Sequence, residues 1–323
     1  MHSDSDVVAI TGIGSYSSAL AHYLLRNSEC KIRLLGRSEA RLANLQSQFS
    51  SNRITFILAD IRDADRLHTA FKGATHVYHA AALKVVGMSY IHTSEFIKTN
   101  VLGTKNVIDA ARDCGVSGVL FISSDKACQA YNPYGIGKAL GEAMITEANM
   151  HVPYTTRFAS VRGGNVWGSR GSVIEQWRNS EFIHTSNPNI TRFHLSMSYW
   201  LAFTVRVMRE MHGGEVFIPI CPTWKLGDLA RVYAQVSGKS IEPTPLMRYG
   251  DKLHEVLVSE HEAEHTLDLD WGYCIEPSQA IRDVWHYESH PHAERLTREI
   301  CSANRPRLSD EELRLLIMSG ETK

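Results

Sequence analysis

One short stretch of this chain, SSDKACQAYNPYGIGK at residues 123–138, brings together groups that exchange protons. Ser124, Asp125 and Lys126 offer a hydroxyl, a carboxyl and an amine in succession, and Tyr134 precedes Lys138 by about one helical turn. A phenol must lose about three units of pKa to act as a base near neutrality, and a neighbouring ammonium acts in that direction. The bland alternative is a solvated turn before a helix, with Asp125 and Lys126 paired to each other. A second stretch, TGIGSYS at 11–17, gives Gly12-x-Gly14-x-x-Ser17. Such a loop turns tightly at the first glycine and approaches a pyrophosphate at the second. Its third position packs a helix on a strand, a task for which Ser17 is small enough.

The chain then reads KIRLLGRS, so Gly36 stands where a carboxylate would accept from a ribose 2′-hydroxyl, and Arg37 and Ser38 follow. A guanidinium there suits a 2′-phosphate, which predicts NADP over NAD; an exposed arginine opening a helix is the other reading.

These groups need a frame to hold them. VVAIT (7–11), KIRLL (31–35), ITFIL (54–58), HVYHA (76–80), GVLFIS (118–123), FASVR (158–162) and EVFIP (215–219) are nearly continuous apolar runs, as expected of strands buried on both faces of a parallel sheet. Helical patterns lie between them, and in EFIKTNVLGTKNVIDAARD the residues Ile97, Val101, Thr104, Ile108 and Ala111 share a face. The alternation predicts an α/β fold, a Rossmann-type doubly wound parallel sheet with a smaller C-terminal substrate lobe. Residues 1–165 form the NADP-binding domain, with 200–220 returning to it. The lobe takes 166–199 and 221–280, where GSRGSV, TSNPN, CPTWK and MRYGDK break the pattern. A charged helical tail, 281–323, carries a cap signal at Ser309.

The 323 residues carry 34 Lys and Arg against 35 Asp and Glu, a net charge of -1, which leaves no electrostatic footprint for nucleic acid or a membrane surface. No apolar run approaches the ~20 residues that span a bilayer, and MHSDSDVVAITG leaves no room for a signal peptide before the first strand. Six cysteines without close pairing fit a reducing compartment, so a cytoplasmic location is expected. His261 and His265, in EHEAEHTL, read as part of a solvated helix, and no metal is expected.

Together the loop, the Tyr134-x-x-x-Lys138 pair and the layout resemble the extended short-chain dehydrogenase/reductases. More narrowly, AALK (81–84), KTNVLGTKNVIDAA (98–111), SSDKA (123–127), GNVWGSRGSV (164–173), ITRF (190–193), GGEVFIP (213–219) and GDKLHEV (250–256) resemble the inverting UDP-N-acetylglucosamine 4,6-dehydratases and related polysaccharide-biosynthesis proteins. The glycine loop is one residue shorter than theirs, with Ser17 for the last glycine. Ala130, Gly163, Ile220 and Tyr249 replace a usual proline, aromatic residue, lysine and proline.

The resemblance implies an NADP-dependent lyase acting on a nucleotide sugar, UDP-N-acetylglucosamine or a close relative. Tyr134 would deprotonate the sugar O4 as hydride leaves C4, and Lys138 would hold the phenolate and the nicotinamide ribose. Lys126 would be the base at C5, Asp125 would protonate the departing 6-hydroxyl, and Ser124 would bond O4. The cofactor would run along Gly12, Gly14, Ser15, Tyr16, Ser17, Arg37, Ser38, Asp60, Ile61, Ala80, Ala81, Ala82, Lys84 and Asn100. Lys84, Asn165, Arg170, Arg192, Arg248 and Asp251 would hold the substrate. A nucleotide-sugar 4-epimerase, which gives Asp125 and Lys126 no task, and a non-catalytic NADP-binding sensor are the alternatives. Relatives with this layout associate through helices that here span about 93–114 and 132–151, which implies a homo-oligomer burying Ile97, Val101 and Ile108.

Overall fold

The computed structural model describes residues 2–150, 155–244, 247, 249–285 and 293–319. Six strands, β1 (Val7–Thr11), β2 (Lys31–Gly36), β3 (Ile54–Leu58), β4 (His76–His79), β5 (Gly118–Ile122) and β6 (Arg157–Val161), pair in parallel in the order β6-β5-β4-β1-β2-β3. The apolar runs read from the sequence thus become strands almost residue for residue; the inner ones are covered on both faces, whereas β3, at the sheet edge, leaves Leu58 47% exposed. Val8 and Ile10 pack among Leu20 and Leu24 of the helix Ser15–Asn27 and Leu201 and Val205 of the helix Met197–Glu210. Ala9 turns to the other side, among Phe71, Val107, Phe121 and Ile145. Strand order reverses between β1 and β4, and the loops leaving their carboxyl ends flank the crevice where such sheets bind ligands.

The strand Val216–Ile218 extends the sheet in parallel beside β6, and Tyr273–Ile275 and Thr266–Asp268 add antiparallel strands at that edge. Residues 266–275, grouped with the lobe from sequence, therefore join the large sheet. The lobe has a three-stranded sheet, Asn165–Val166, Thr191–Leu195 and Thr223–Lys225, a two-stranded pair, Ile183–Thr185 with Ile241–Pro243, and a core around Trp167, Trp177, Trp224 and Leu229. Leu313 of the helix Asp310–Ser319 is fully buried in that core, and Ile300–Cys301 pairs with Val256–Val258. The C-terminal segment is thus part of the lobe rather than a separate tail.

The helical face drawn through Ile97 and Ile108 does not survive. The segment Ile97–Leu102 forms a wide π turn, which rotates the face partway along. Thr104, Ile108 and Ala111 lie buried within the subunit, whereas Ile97 and Leu102 remain about half exposed (49% and 50%). Likewise only Glu260–Ala263 of EHEAEHTL is helical, and Thr266 already begins a strand.

Candidate active site

The ends of the central strands open into one cleft of about 1460 Å³. The chain leaves β1 at Gly12 with φ 89°, and a Cβ there would stand 2.9 Å from Ala81 Cα, so only glycine lets the loops after β1 and β4 pass this closely. Gly14 faces open space just before the helix Ser15–Asn27, whose first turn has no side-chain cap and no acidic residue. Its leading amides are left to meet a phosphate, so the shortened loop still offers a dinucleotide cradle. Ser17 is buried where the helix meets the sheet, as its size suggested. Ser15 Oγ accepts from the Arg170 amide at 3.2 Å, and the Tyr16 phenol donates to Thr204 Oγ1 at 3.0 Å, packing two helices together.

Arg37 stands half exposed on the cleft, 3.9 Å from Asp60. Burial pushes the Asp60 carboxyl up, but hydrogen bonds from Arg62, 2.7 Å at the shortest, prevail and hold it below its usual range. Arg37, Ser38, Arg62 and Arg66 border an adjoining groove with Asp60 and Asp63. Ile61, Ala80, Ala81 and Ala82 line the main cleft. Asn100 does not: it is buried behind, its amide bonded both ways to the Leu83 main chain at 2.8 Å, so it shapes the loop after β4.

The five proton-handling groups do converge on the cleft. Ser124 Oγ donates to Asp125 Oδ1 at 2.9 Å, and Lys126 Nζ donates to the same oxygen at 3.1 Å. The pair is no solvated salt bridge, since Asp125 is 1% exposed. Glu255, to which no role was given from sequence, also reaches the amine, its Oε1 3.2 Å from Lys126 Nζ. Burial works against the Lys126 ammonium, but Asp125 and Glu255 overcome it and hold the pKa well above the ordinary lysine value.

Tyr134 and Lys138 rise from the first turns of the helix Pro133–Glu147, capped by Asn132 Oδ1 on the Gly135 amide. Both are buried, and their ionisation differs from the sequence expectation. Burial raises the Tyr134 pKa despite Lys126 and a hydrogen bond with Ser124. Burial also lowers Lys138 to about 7 against the pull of Glu142, and its Nζ donates to Ile122 O at 2.6 Å rather than to the phenol.

On the lobe side the cleft meets Lys84, Asn165, Arg170, Arg192 and Asp251. Lys84 Nζ donates to Arg170 O at 2.8 Å, and Arg192 Nη1 to Thr191 O at 2.8 Å. Arg248 lies outside the described residues. Sequence reading missed Glu255 although it stands inside the quoted GDKLHEV; nothing local signals that this carboxylate folds onto Lys126. It also missed Arg162, buried between Glu142 (2.6 Å) and Glu262 (2.8 Å). Glu142 is one turn beyond Lys138, a spacing that does mark it.

Among the described residues one group with metal-ligand geometry, His2, Asp6 and His76, lies at the amino ends of β1 and β4, away from the cleft. All six cysteines are free thiols.

Comparison with known proteins fits this geometry. Residues 8–277 match the polysaccharide biosynthesis protein family. The chain is 34% identical over 291 residues to the inverting UDP-N-acetylglucosamine 4,6-dehydratase of Campylobacter jejuni subsp. jejuni serotype O:23/36 (strain 81-176), covering 88% of this chain and 86% of that protein. It is 31% identical to the UDP-glucose 4-epimerase of Rickettsia bellii (strain RML369-C), covering 99% and 97%. The X-ray structure of Pen from Bacillus thuringiensis superposes with a TM-score of 0.91 at 30% identity, covering 100% of both chains. With its parallel sheet, glycine loop and Tyr134–Lys138 helix, the chain belongs to the polysaccharide biosynthesis protein family, as an enzyme of the extended short-chain dehydrogenase/reductase type.

Proposed function

We propose that this enzyme is an NADP-dependent nucleotide-sugar 4,6-dehydratase acting on UDP-N-acetylglucosamine or a close relative, with inversion at C5. The observation that carries the reading is the Asp125–Lys126 pair buried beside Tyr134 in the cleft. Interconversion at C4 alone leaves such a pair idle, whereas expelling water across C5 and C6 needs both an acid and a base. NADP bound along the glycine loop, with Arg37 near its 2′-phosphate, would accept hydride from C4 and return it to C6.

Tyr134 takes the O4 proton in this reading, with Ser124 orienting O4 and Lys138 stabilising the phenolate. The resulting ketone acidifies C5–H. Lys126 and Asp125 share a hydrogen bond, so moving one proton from Nζ to Oδ1 creates an amine base and a carboxylic acid at once. The C5–H bond then breaks, its proton passing to Lys126 and its electron pair forming the C5–C6 double bond. The C6–O bond breaks as Asp125 gives its proton, releasing water and restoring the ammonium–carboxylate pair. As hydride returns to C6, C5 is reprotonated on its opposite face by a donor that exchanges with solvent, which inverts the centre.

Body residues 1–165 and 200–220 hold the cofactor and the lobe holds the nucleotide sugar. Near-neutral charge and free thiols support a cytoplasmic setting without nucleic acid or membrane partners. No described helix is long and apolar enough to cross a membrane. The expected product of UDP-N-acetylglucosamine in heavy water is one water lighter, carries deuterium at C5 and bears at C6 a label placed at C4. Denatured enzyme should release chiefly NADP(H). Return of the label to C4 with C5 untouched would establish the 4-epimerase instead.

A further inference from the structure

The dehydratase reading assigns work to Asp125 and Lys126 but none to the second carboxylate on the amine. We propose that Glu255 is a positioning residue for proton transfer at C5, acting through Lys126 without touching the sugar. It does not border the cleft, yet its Oε1 lies 3.2 Å from Lys126 Nζ. Glu255 is 1% exposed, and its other oxygen, Oε2, has no hydrogen-bond partner among the described residues. A buried carboxylate left half unsatisfied is costly to stability, which marks a group kept for another reason.

Ser302 holds the Glu255 main chain by two hydrogen bonds. The Glu255 amide donates to Ser302 Oγ at 2.9 Å, and the Ser302 amide donates back to Glu255 O at 2.8 Å. The Ser302 hydroxyl also meets Thr191 Oγ1 at 2.7 Å, so the C-terminal segment locks this loop to the lobe strand carrying Arg192. The charges facing Lys126 are Asp125 on its own loop, Glu255 and, on the opposing side, Arg192, whose Nε is 3.8 Å from Glu255 Oε1; Tyr134 faces it from the helix.

Two consequences follow for the C5 step. When the amine has passed its proton to Asp125, the Glu255 carboxylate 3.2 Å away remains as an acceptor that keeps Nζ from swinging away. When Nζ takes the C5 proton, the fixed negative charge of Glu255 stabilises the ammonium as it forms. C4 oxidation, driven by Tyr134 and Lys138, draws on neither effect; the Glu255 charge reaches the Tyr134 phenol only weakly and raises its pKa, so removing it does not hinder that step.

Glu255→Gln keeps the shape and removes the charge, so the two partial reactions separate its roles. With holoenzyme and UDP-N-acetylglucosamine, deuterium exchange at C5 should fall roughly 10- to 100-fold, a modest share of what general acid–base catalysis supplies. Reduction of bound NADP on mixing should be at least as fast as in wild type and reach an equal or larger amplitude, because the step that consumes the reduced cofactor is slowed. The pH limb of C5 exchange that reports Lys126 should move to lower pH, because its ammonium has lost a stabilising neighbour. Glu255→Asp, which retains the charge, should restore most of the limb. It also carries the test alone if the Gln variant does not accumulate as folded protein: a limb displaced less than one unit but measurably supports the assignment.

C5 exchange at the wild-type rate and pH in Glu255→Gln, or in that case in Glu255→Asp, overturns the proposal. So does an equal loss of both partial reactions with no pH shift, which is the mark of a merely structural role. Failure of the dehydratase reading looks different: wild-type enzyme itself then shows no C5 exchange, and this proposal falls with it.

Discussion

Lys138 illustrates how a single buried group ties ionisation to stability. Its ammonium donates to Ile122 O at 2.6 Å and sits 4.3 Å from the centre of the Phe121 ring, in a site that is 3% exposed. Burial brings its pKa down from 10.5 to about 7 against the opposing pull of Glu142. A lysine with a lowered folded pKa opposes folding in proportion to the proton it must keep. The penalty is absent above 10.5, grows as pH falls towards about 7 and is complete below that. Lys138→Met should therefore raise the thermal midpoint of cofactor-free protein more at pH 6 than at pH 9, while abolishing C4 oxidation. Equal shifts at the two pH values would contradict this account of Lys138.

At the scale of elements, the start of the helix Pro133–Glu147 sets the distance between the two halves of the chemistry. Pro133 fits its first turn, and Asn132 caps the Gly135 amide at 2.8 Å. Gly135 is pressed against the catalytic loop so closely that an added Cβ would fall on the Lys126 carbonyl oxygen. Backbone cannot yield as a side-chain tip does, so the loop and the helix must part. Gly135→Ala should cost roughly 1–3 kcal/mol of stability, the usual range for overpacking. Turnover should drop by about 100-fold, since a misplacement near 1 Å has that effect on reacting groups. Denaturant titration and product formation check both; an alanine variant with wild-type turnover would show that this contact does not set the site.

For the whole molecule, the relevant surface lies on the outer side of that helix. Ile136 and Leu140, one turn apart, are 47% and 48% exposed, and the neighbouring segment adds Ile97 and Leu102. Gly137 packs directly on Asn100 and Val101, so the two elements lie side by side and present these residues together. Pairing of two copies through this face should give a dimer at micromolar concentration, with about 1,600 Å² buried in total as for ordinary stable interfaces. Leu140→Glu should yield folded monomer by light scattering, because a charge is then buried without a partner. A monomeric wild-type protein would exclude the arrangement. Of the residues drawn from helical periodicity, Ile97 stays on this face, whereas Ile108 serves the subunit core.

Much of the fold and half of the site were legible in the sequence because their causes are local. Apolar runs covered on both faces make the strands, Gly12 and Gly14 permit one loop shape, and helical spacing puts Tyr134 and Lys138 on one face of their helix. The wide turn at Ile97–Leu102 escaped because one extra residue in a turn leaves no apolar signature. Glu255 reaches Lys126, and Ser302 clasps Glu255, only once the lobe and the C-terminal segment have folded onto the catalytic loop. Arg162 finds Glu142 and Glu262 in the same way, since the three lie far apart in the chain. Ionisation belongs to this second class throughout: motif spacing named Tyr134, Lys138 and Lys126, but burial and distant charges set the protonation of each. Residue type and spacing supply the chemical groups, whereas their proton affinities depend on solvent exclusion and on fields from parts of the chain that meet only in the folded protein.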